Sequence, residues 1–373
     1  MTDALAAPAP PKPARLFEFD LLKTFLIFAM VSSHSLEEIF SRQYADFAFC
    51  AHTAFSVAIE DFLFLPGPLG FMAAMGALMV LAAPRPPAQW IRRGIVLLLV
   101  WLLLNVLRAL PPALLASGGD RAAFQTWLFT FVFVNDILFF AGLFFLFAGF
   151  LRRLGATTAG VLAVSSLLYG ASLFVGDIGP AVPAALHPVL AGFIHAGSLS
   201  VFPFLSWAII PALGMAFGEL LARSRERRTS LYVAIACLSA ALLAALLPAL
   251  RANGLLDGEA LLEMRGNPIG LHANGPLPLA CSIGFFGLLL SACHFLAPLL
   301  RRGRVGAAIT YLGSRLPLIY VVQWVLIPLV ALALRGRLAP LPVWALALSC
   351  LAIAAASAAI AEACARLWRR LHA

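Results

Sequence analysis

Charge is scarce in this chain. Of 373 residues only 12% are Asp, Glu, Lys or Arg, against roughly a quarter in ordinary soluble proteins, while 62% are hydrophobic and mean hydropathy is +0.96. Charge this thin excludes a water-soluble body of this length. The chain also lacks a polar stretch long enough for a soluble domain, a fixed-period repeat and a coiled coil. It has no CxxC and no His/Cys cluster at metal-ligand spacing. The six cysteines, Cys50, Cys237, Cys281, Cys293, Cys350 and Cys364, therefore read as small core residues, not as disulfides or zinc ligands. GxxxxGK[ST], GxSxG and GxGxxG are all missing. A nucleotide-bearing substrate would have to bind in a cavity built from spans and loops.

What is present is a series of apolar runs, several of them reaching the roughly 20 residues that cross a bilayer. The fold class is all-α, a polytopic integral membrane helical bundle. Ten spans are expected, at about 18–40, 66–83, 91–110, 127–151, 157–176, 200–222, 230–250, 276–298, 308–334 and 342–365. Residues 1–15, rich in Ala and Pro, read as a disordered cytoplasmic tail without a signal-peptide cleavage site. Residues 16–373 read as one transmembrane domain.

Net charge is +9. The placement of the charge argues against nucleic acid as the partner. Arg92-Arg93, Arg152-Arg153, Arg223/Arg225/Arg227/Arg228, Arg301/Arg302/Arg304 and Arg366/Arg369/Arg370 sit in short clusters between apolar runs. With the N-terminus inside, these clusters and Lys12, Arg15 and Arg85 put seventeen basic residues inside and seven outside. That bias orients the chain with both termini cytoplasmic, in the cell (inner) membrane. Three longer segments, 41–65, 177–199 and 251–275, then face outward and carry most of the remaining acidic and histidine residues. Loops on a rigid scaffold often carry specificity.

The first span, "EFDLLKTFLIFAMVSSHSLEEIF", contains Asp20, Lys23 and His34, with Glu37 and Glu38 just beyond. Hydrocarbon penalises every one of them, and ionisable groups in spans usually face a polar cavity. On a helix Asp20 and His34 share a face about 21 Å apart. Lys23 is placed to pair with Asp20. Either Glu37 or Glu38 could accept a hydrogen bond from one imidazole nitrogen and leave the other basic. Histidine is the usual general base for making an amine or hydroxyl nucleophilic. The bland alternatives are an interfacial ion pair at Asp20 and Lys23 and a polar helix end at His34.

The spacing R-x4-D-x2-K/R-x10-H, here Arg15, Asp20, Lys23 and His34, resembles the opening of the transmembrane acyltransferase superfamily. That superfamily includes the acyltransferase-three and heparan-α-glucosaminide N-acetyltransferase-like families. Residues 67–80 and 91–114 resemble the second and third spans of bacterial members of the latter. "VNDILFFAGLFFLFAGFLRRL" (134–154), "VFPFLSWAIIPALGMAFGELL" (201–221) and "YLGSRLPLIYVVQW" (311–324) resemble further segments, in order. The resemblance implies an integral membrane enzyme moving an acyl group, usually acetyl from acetyl-CoA, to a sugar amine or hydroxyl. It carries the family's essential histidine onto His34, with Asp20 and Lys23 in support. Where the family often has an aliphatic-aromatic-Glu triplet, this chain has Ser35-Leu36-Glu37-Glu38, so either glutamate fits. No permanently bound cofactor is expected, and acetyl-CoA or another acyl-CoA would be the co-substrate.

Other polar groups inside spans are candidates for the substrate or CoA site. Asn135 and Asp136 fall within the fourth expected span, where a kink or an interhelical hydrogen bond is the plain alternative. Trp207, Tyr320, Gln323 and Trp324 could line a cavity or simply anchor at an interface. Asn105 and Arg108 lie one turn apart and could meet CoA phosphates, or Arg108 could snorkel. Arg92, Arg93, Arg152 and Arg153 face the compartment that supplies acyl-CoA. The expected partners are thus the bilayer, acyl-CoA and a sugar or glycan acceptor. The oligomeric state is left open, a homo-oligomer included. The competing class is a transporter or flippase with a charged pathway, though the two halves show no convincing similarity. A non-catalytic scaffold leaves the charges of the first span unexplained.

Overall fold

The computed structural model describes residues 15–35, 39, 66–82, 85–175, 178–183, 186–194, 201–224, 226–252, 275–334 and 343–371. Glu37, Glu38 and Cys50 lie beyond the described residues, as do 41–65 and nearly all of 251–275, whereas most of 177–199 is described. Among the described residues there is no strand. In chain order the helices are α1 (Phe17–Ser35), α2 (Pro66–Leu81), α3 (Pro87–Ala116), α4 (Arg121–Val132), α5 (Ile137–Arg153), α6 (Thr158–Val175), α7 (His187–Leu190), α8 (Phe204–Trp207), α9 (Ile209–Arg223), α10 (Arg228–Ala252), α11 (Pro276–Leu300), α12 (Gly303–Leu334) and α13 (Val343–Leu371). Among the described residues seven segments are long and apolar enough to cross a bilayer: α3, α6, α8 with α9, α10, α11, α12 and α13. Three further helices stand apart, α1 by its charges, and α2 and α5 by their lengths of 16 and 17 residues. Without water to bond the main chain, a lipid-spanning segment must close its own hydrogen bonds, which is why these apolar runs are helices.

The outer faces are greasy. Leu99, Leu103, Leu167, Phe174 and Leu238 are all more than half exposed. They belong to α3, α6 and α10, and they face the bilayer. Cys237 and Cys364 are exposed too, unlike the core positions expected for them, whereas Cys281, Cys293 and Cys350 are buried; all five are free thiols.

Inside, helix contact is made by small residues. A Cβ added at Gly76 of α2 would lie 1.9 Å from the Pro211 carbonyl oxygen of α9, and one at Gly214 of α9 would lie 2.1 Å from that of Ala73. Backbones this close gain dispersion energy that lipid cannot match. α1 is the central element. It packs against α2, α11, α12 and α13 and buries Phe19, Leu22, Leu26 and Val31.

Polar contacts gather alternate helix ends at one side of the bundle. Glu18 near the start of α1 lies within 3.9 Å of Arg228 at the start of α10 and within 3.8 Å of His294 near the end of α11. The Tyr311 hydroxyl, early in α12, donates to Glu362 late in α13, which Arg366 and Arg369 also reach. Arg152 in the last turn of α5 donates to Thr158 at the start of α6, which in turn bonds Glu219 late in α9. The Arg152 guanidinium lies 5.7 Å from the ring centre of Trp90, early in α3. This side is the basic end.

The fourth expected span is not one helix. α4 stops at Val132 and α5 begins at Ile137. Asp136 causes the break, because its Oδ1 accepts from the backbone N–H of Leu138 at 2.9 Å and of Phe139 at 3.1 Å. An N-cap of this kind favours extended backbone at its own position.

Glycine contacts generate a stability prediction. Gly214→Ala should lower the melting temperature in detergent, since overpacking costs about 1–3 kcal/mol or more. Gly170→Ala, with nothing within 4 Å of the added methyl, should leave it unchanged or raise it. Equal behaviour of the two variants would show that the α2–α9 contact is not tight.

Candidate functional site

Two neighbouring features carry most of the candidate residues. The first is a cavity of about 540 Å³ among α1, α2, α3, α5 and α12. Arg15, Lys23, Arg85 and Arg93 line its basic end, with Asp20. Its walls are apolar and include Phe71, Met72, Met75, Leu97 and Phe145. Its inner end is formed by Leu138, Pro317 and Tyr320. The lining residues extend about 10–15 Å along α2, α3, α5 and α12.

Asp20 organises the mouth. Its side chain is 3% exposed, and it receives Arg15 Nε on Oδ2 at 2.5 Å and Lys23 Nζ on Oδ1 at 2.8 Å. Arg15 also donates to the Thr310 carbonyl at 2.8 Å, which ties this group to α12. Gly313 makes room for it, since a Cβ there would lie 3.0 Å from the Asp20 Cα. A carboxylate so buried needs its partners, because removing one typically costs about 3–5 kcal/mol. Two cations share this one carboxylate. Arg85 and Arg93 have no carboxylate within 4 Å among the described residues, and both are exposed. The mouth therefore carries excess positive charge, three cations more than the single carboxylate balances.

The second feature is a polar cluster one helical turn deeper along α12. His34 Nδ1 lies 3.2 Å from Gln323 Nε2. The imidazole packs on Trp324, with ring centres 4.0 Å apart. The Arg108 guanidinium lies 4.6 Å from the centre of the same indole. Among the described residues no carboxylate comes within 4 Å of Arg108. Gln323 Oε1 is buried without a hydrogen-bond partner. Tyr320 donates to Asp136 Oδ2 at 3.0 Å, so Asp136 both caps α5 and faces α12.

The non-helical turn 133–136 is satisfied from α3. Asn105 Nδ2 donates to the carbonyls of Val132 and Val134 at 3.0 and 2.9 Å, and Trp101 Nε1 reaches Val134 at 2.9 Å. Irregular backbone at membrane depth is tolerated where protein supplies such bonds.

The structure thus brings His34, Arg108, Asn105, Asp136, Tyr320, Gln323 and Trp324 together. It puts Asp20 and Lys23 at the cavity mouth. Asn105 spends its amide on the turn. Asn135 is 1% exposed and lies beside Gly192, where an added Cβ would sit 3.3 Å from its Nδ2. Trp207 lies in an apolar core with Phe202, ring centres 5.0 Å apart. Neither Asn135 nor Trp207 lines the cavity. Of Arg92, Arg93, Arg152 and Arg153, Arg93 lines the cavity. Arg85 lines it too; the sequence marks it only as one of the inside basic residues, just before the third expected span. The Nδ1 partner of His34 is Gln323, a residue 289 positions away, which no local spacing could announce.

Comparison with protein-family models, curated proteins and solved structures finds no match.

Asn105→Leu should lower thermal stability, since each carbonyl left unpaired costs about 1–3 kcal/mol. An unchanged melting curve would mean that the 133–136 turn does not depend on α3.

Proposed function

We infer that this chain is a membrane-embedded acyltransferase. It moves an acyl group from acyl-CoA to an amine or hydroxyl of an extracytoplasmic sugar or glycan. One observation carries the reading: a cavity with excess positive charge at its mouth and apolar walls leads toward a half-buried histidine. Acyl-CoA has that polarity. Its nucleotide phosphates suit Arg15, Lys23, Arg85 and Arg93, and its pantetheine arm and acyl group suit the methionine- and leucine-lined interior. The resemblance of Arg15, Asp20, Lys23 and His34 to the acyltransferase opening supports the same class.

His34 is the general base. Rotation of the Gln323 amide interchanges its nitrogen and oxygen. With Oε1 toward the ring, Nδ1–H donates, Oε1 gains its missing partner, and Nε2 keeps a lone pair. In the direct route Nε2 takes the proton from the acceptor amine or hydroxyl as that atom attacks the thioester carbonyl. The C–S bond breaks, and the departing CoA thiolate takes up the proton that Nε2 has accepted. In the alternative route Nε2 itself attacks the thioester and holds the acyl group until the acceptor displaces it. Arg108 lies close enough, across Trp324, to favour negative charge developing on the carbonyl oxygen.

All ten long helices cross the membrane in this proposal, α1, α2 and α5 included. Their ends alternate at the basic side, which supports an even number of crossings. α1 is protected from lipid by its neighbours, and charged side chains buried in protein are compatible with a span. The basic end is cytoplasmic by the positive-inside rule. Reporter fusions after residues 87, 153, 226 and 303 should report cytoplasm. One reporting the outside would overturn the orientation.

The catalytic assignment predicts that His34→Ala lowers acyl transfer by about 10²–10⁴, with the protein still folded and inserted. The mouth predicts that Arg85→Glu with Arg93→Glu raises KM for acyl-CoA while changing kcat little, because phosphate contacts are made equally before and during reaction. Near-normal turnover by His34→Ala would make the histidine structural. Passage of an unmodified solute with no acyl bond formed would favour a transporter.

A further inference from the structure

The cavity does not reach His34. Its lining ends at Leu138, Pro317 and Tyr320, and His34, Gln323 and Trp324 are not part of it. Tyr320 is shared: its side chain lines the inner end of the cavity, and its ring lies 6.5 Å from Trp324, edge to face. The hydroxyl is fixed to Asp136 at 3.0 Å. Asp136 is itself immobilised by two backbone N–H groups of α5, at 2.9 and 3.1 Å. The Tyr320 ring, packed with Trp101, Leu104 and Leu138, thus sits between the cavity lining and the histidine cluster, and its one hydrogen bond runs to a rigid acceptor.

The helix that carries Tyr320 is built to bend. α12 contains Pro317 and Pro328. Each removes an i→i−4 bond, which frees the carbonyls of Gly313 and Trp324, and such positions are where long helices kink. Tyr320, Gln323 and Trp324 all lie between the two prolines. Bending there moves the three together relative to α5, which stays anchored by its own cap.

We propose that Tyr320, latched to Asp136, is a closed partition between the basic-mouthed cavity and His34, and that α12 opens it by bending at Pro317 and Pro328. In the closed state a donor in the cavity is kept from the histidine. Opening joins the two compartments. The partition concerns the site used by the proposed acyl transfer, but its test reads access alone and needs no acyl donor, so either can fail without the other.

The experiment uses the full chain in sealed inside-out vesicles, which present the basic end under the orientation above. A Gln323→Cys reporter is treated with a small, charged, membrane-impermeant methanethiosulfonate. Modification is read at the reporter's own peptide by mass spectrometry, so the native cysteines do not enter. With Tyr320 intact, modification is slow. Adding Tyr320→Phe, which deletes only the hydroxyl, raises the rate on the order of tenfold, the factor expected for a lost hydrogen bond to a carboxylate. Adding Pro317→Ala to that protein slows modification again. A His34→Cys reporter gives the same pattern if the first reporter folds poorly. Equal rates with Tyr and Phe at position 320 overturn the latch. Fast modification with Tyr320 in place overturns the partition. Fast modification that survives Pro317→Ala overturns the hinge.

Discussion

The bundle depends on keeping the charges of α1 out of lipid. Asp20 and Glu18 are buried, and neither could be left alone at that depth. Asp20 is held between Arg15 and Lys23, and Glu18 faces Arg228, Tyr232 and His294. Those partners come from Arg15 just before α1, from α1 itself, from α10 and from α11. Satisfying them requires α1 to be enclosed, and α2, α11, α12 and α13 enclose it. The enclosure also sets up the site, because the helix that brings Asp20 to the mouth brings His34 to the cluster about 21 Å further on.

A second constraint acts at the other end of the cavity. The break between α4 and α5 frees backbone groups that lipid cannot satisfy. Asp136 takes two amides, and Asn105 and Trp101 take the carbonyls of Val132 and Val134. The side chains that repair the break are also those that frame the Tyr320 contact, so the turn is a fixed wall against which α12 can work.

Much of this was legible in the sequence for physical reasons. Apolar runs of membrane length announce helices because no other open structure satisfies the backbone in lipid. Ionisable residues in the first span announced a polar interior, because they are costly anywhere else. The pairing of Asp20 with Lys23 followed from helical spacing. The break at 133–136 was not legible as a break: "VFVNDILFF" is apolar enough to continue a helix, and the deciding event is a capping bond backed by α3. The partners of His34 were not legible at all. Gln323 and Trp324 are brought to it by tertiary packing of α12, and the local candidates, Glu37 and Glu38, lie outside the described residues. Trp207 shows the converse: its motif drew attention to it, and packing put it in an apolar core.

Taken together, the mouth, the apolar chamber, the Tyr320 contact and His34 form one line from the basic end toward the other side of the bundle. We propose that an acyl group travels that line and is delivered to an acceptor across the membrane. Sealed vesicles of known orientation test it, with acetyl-CoA labelled in its acetyl group on the side of the basic loops and candidate amino sugars or glycans on the other. Label should become covalently attached to the acceptor on the far side, in an amount that depends on His34. Transfer only when donor and acceptor share the basic side, or passage of the acceptor without an acyl bond, would contradict it.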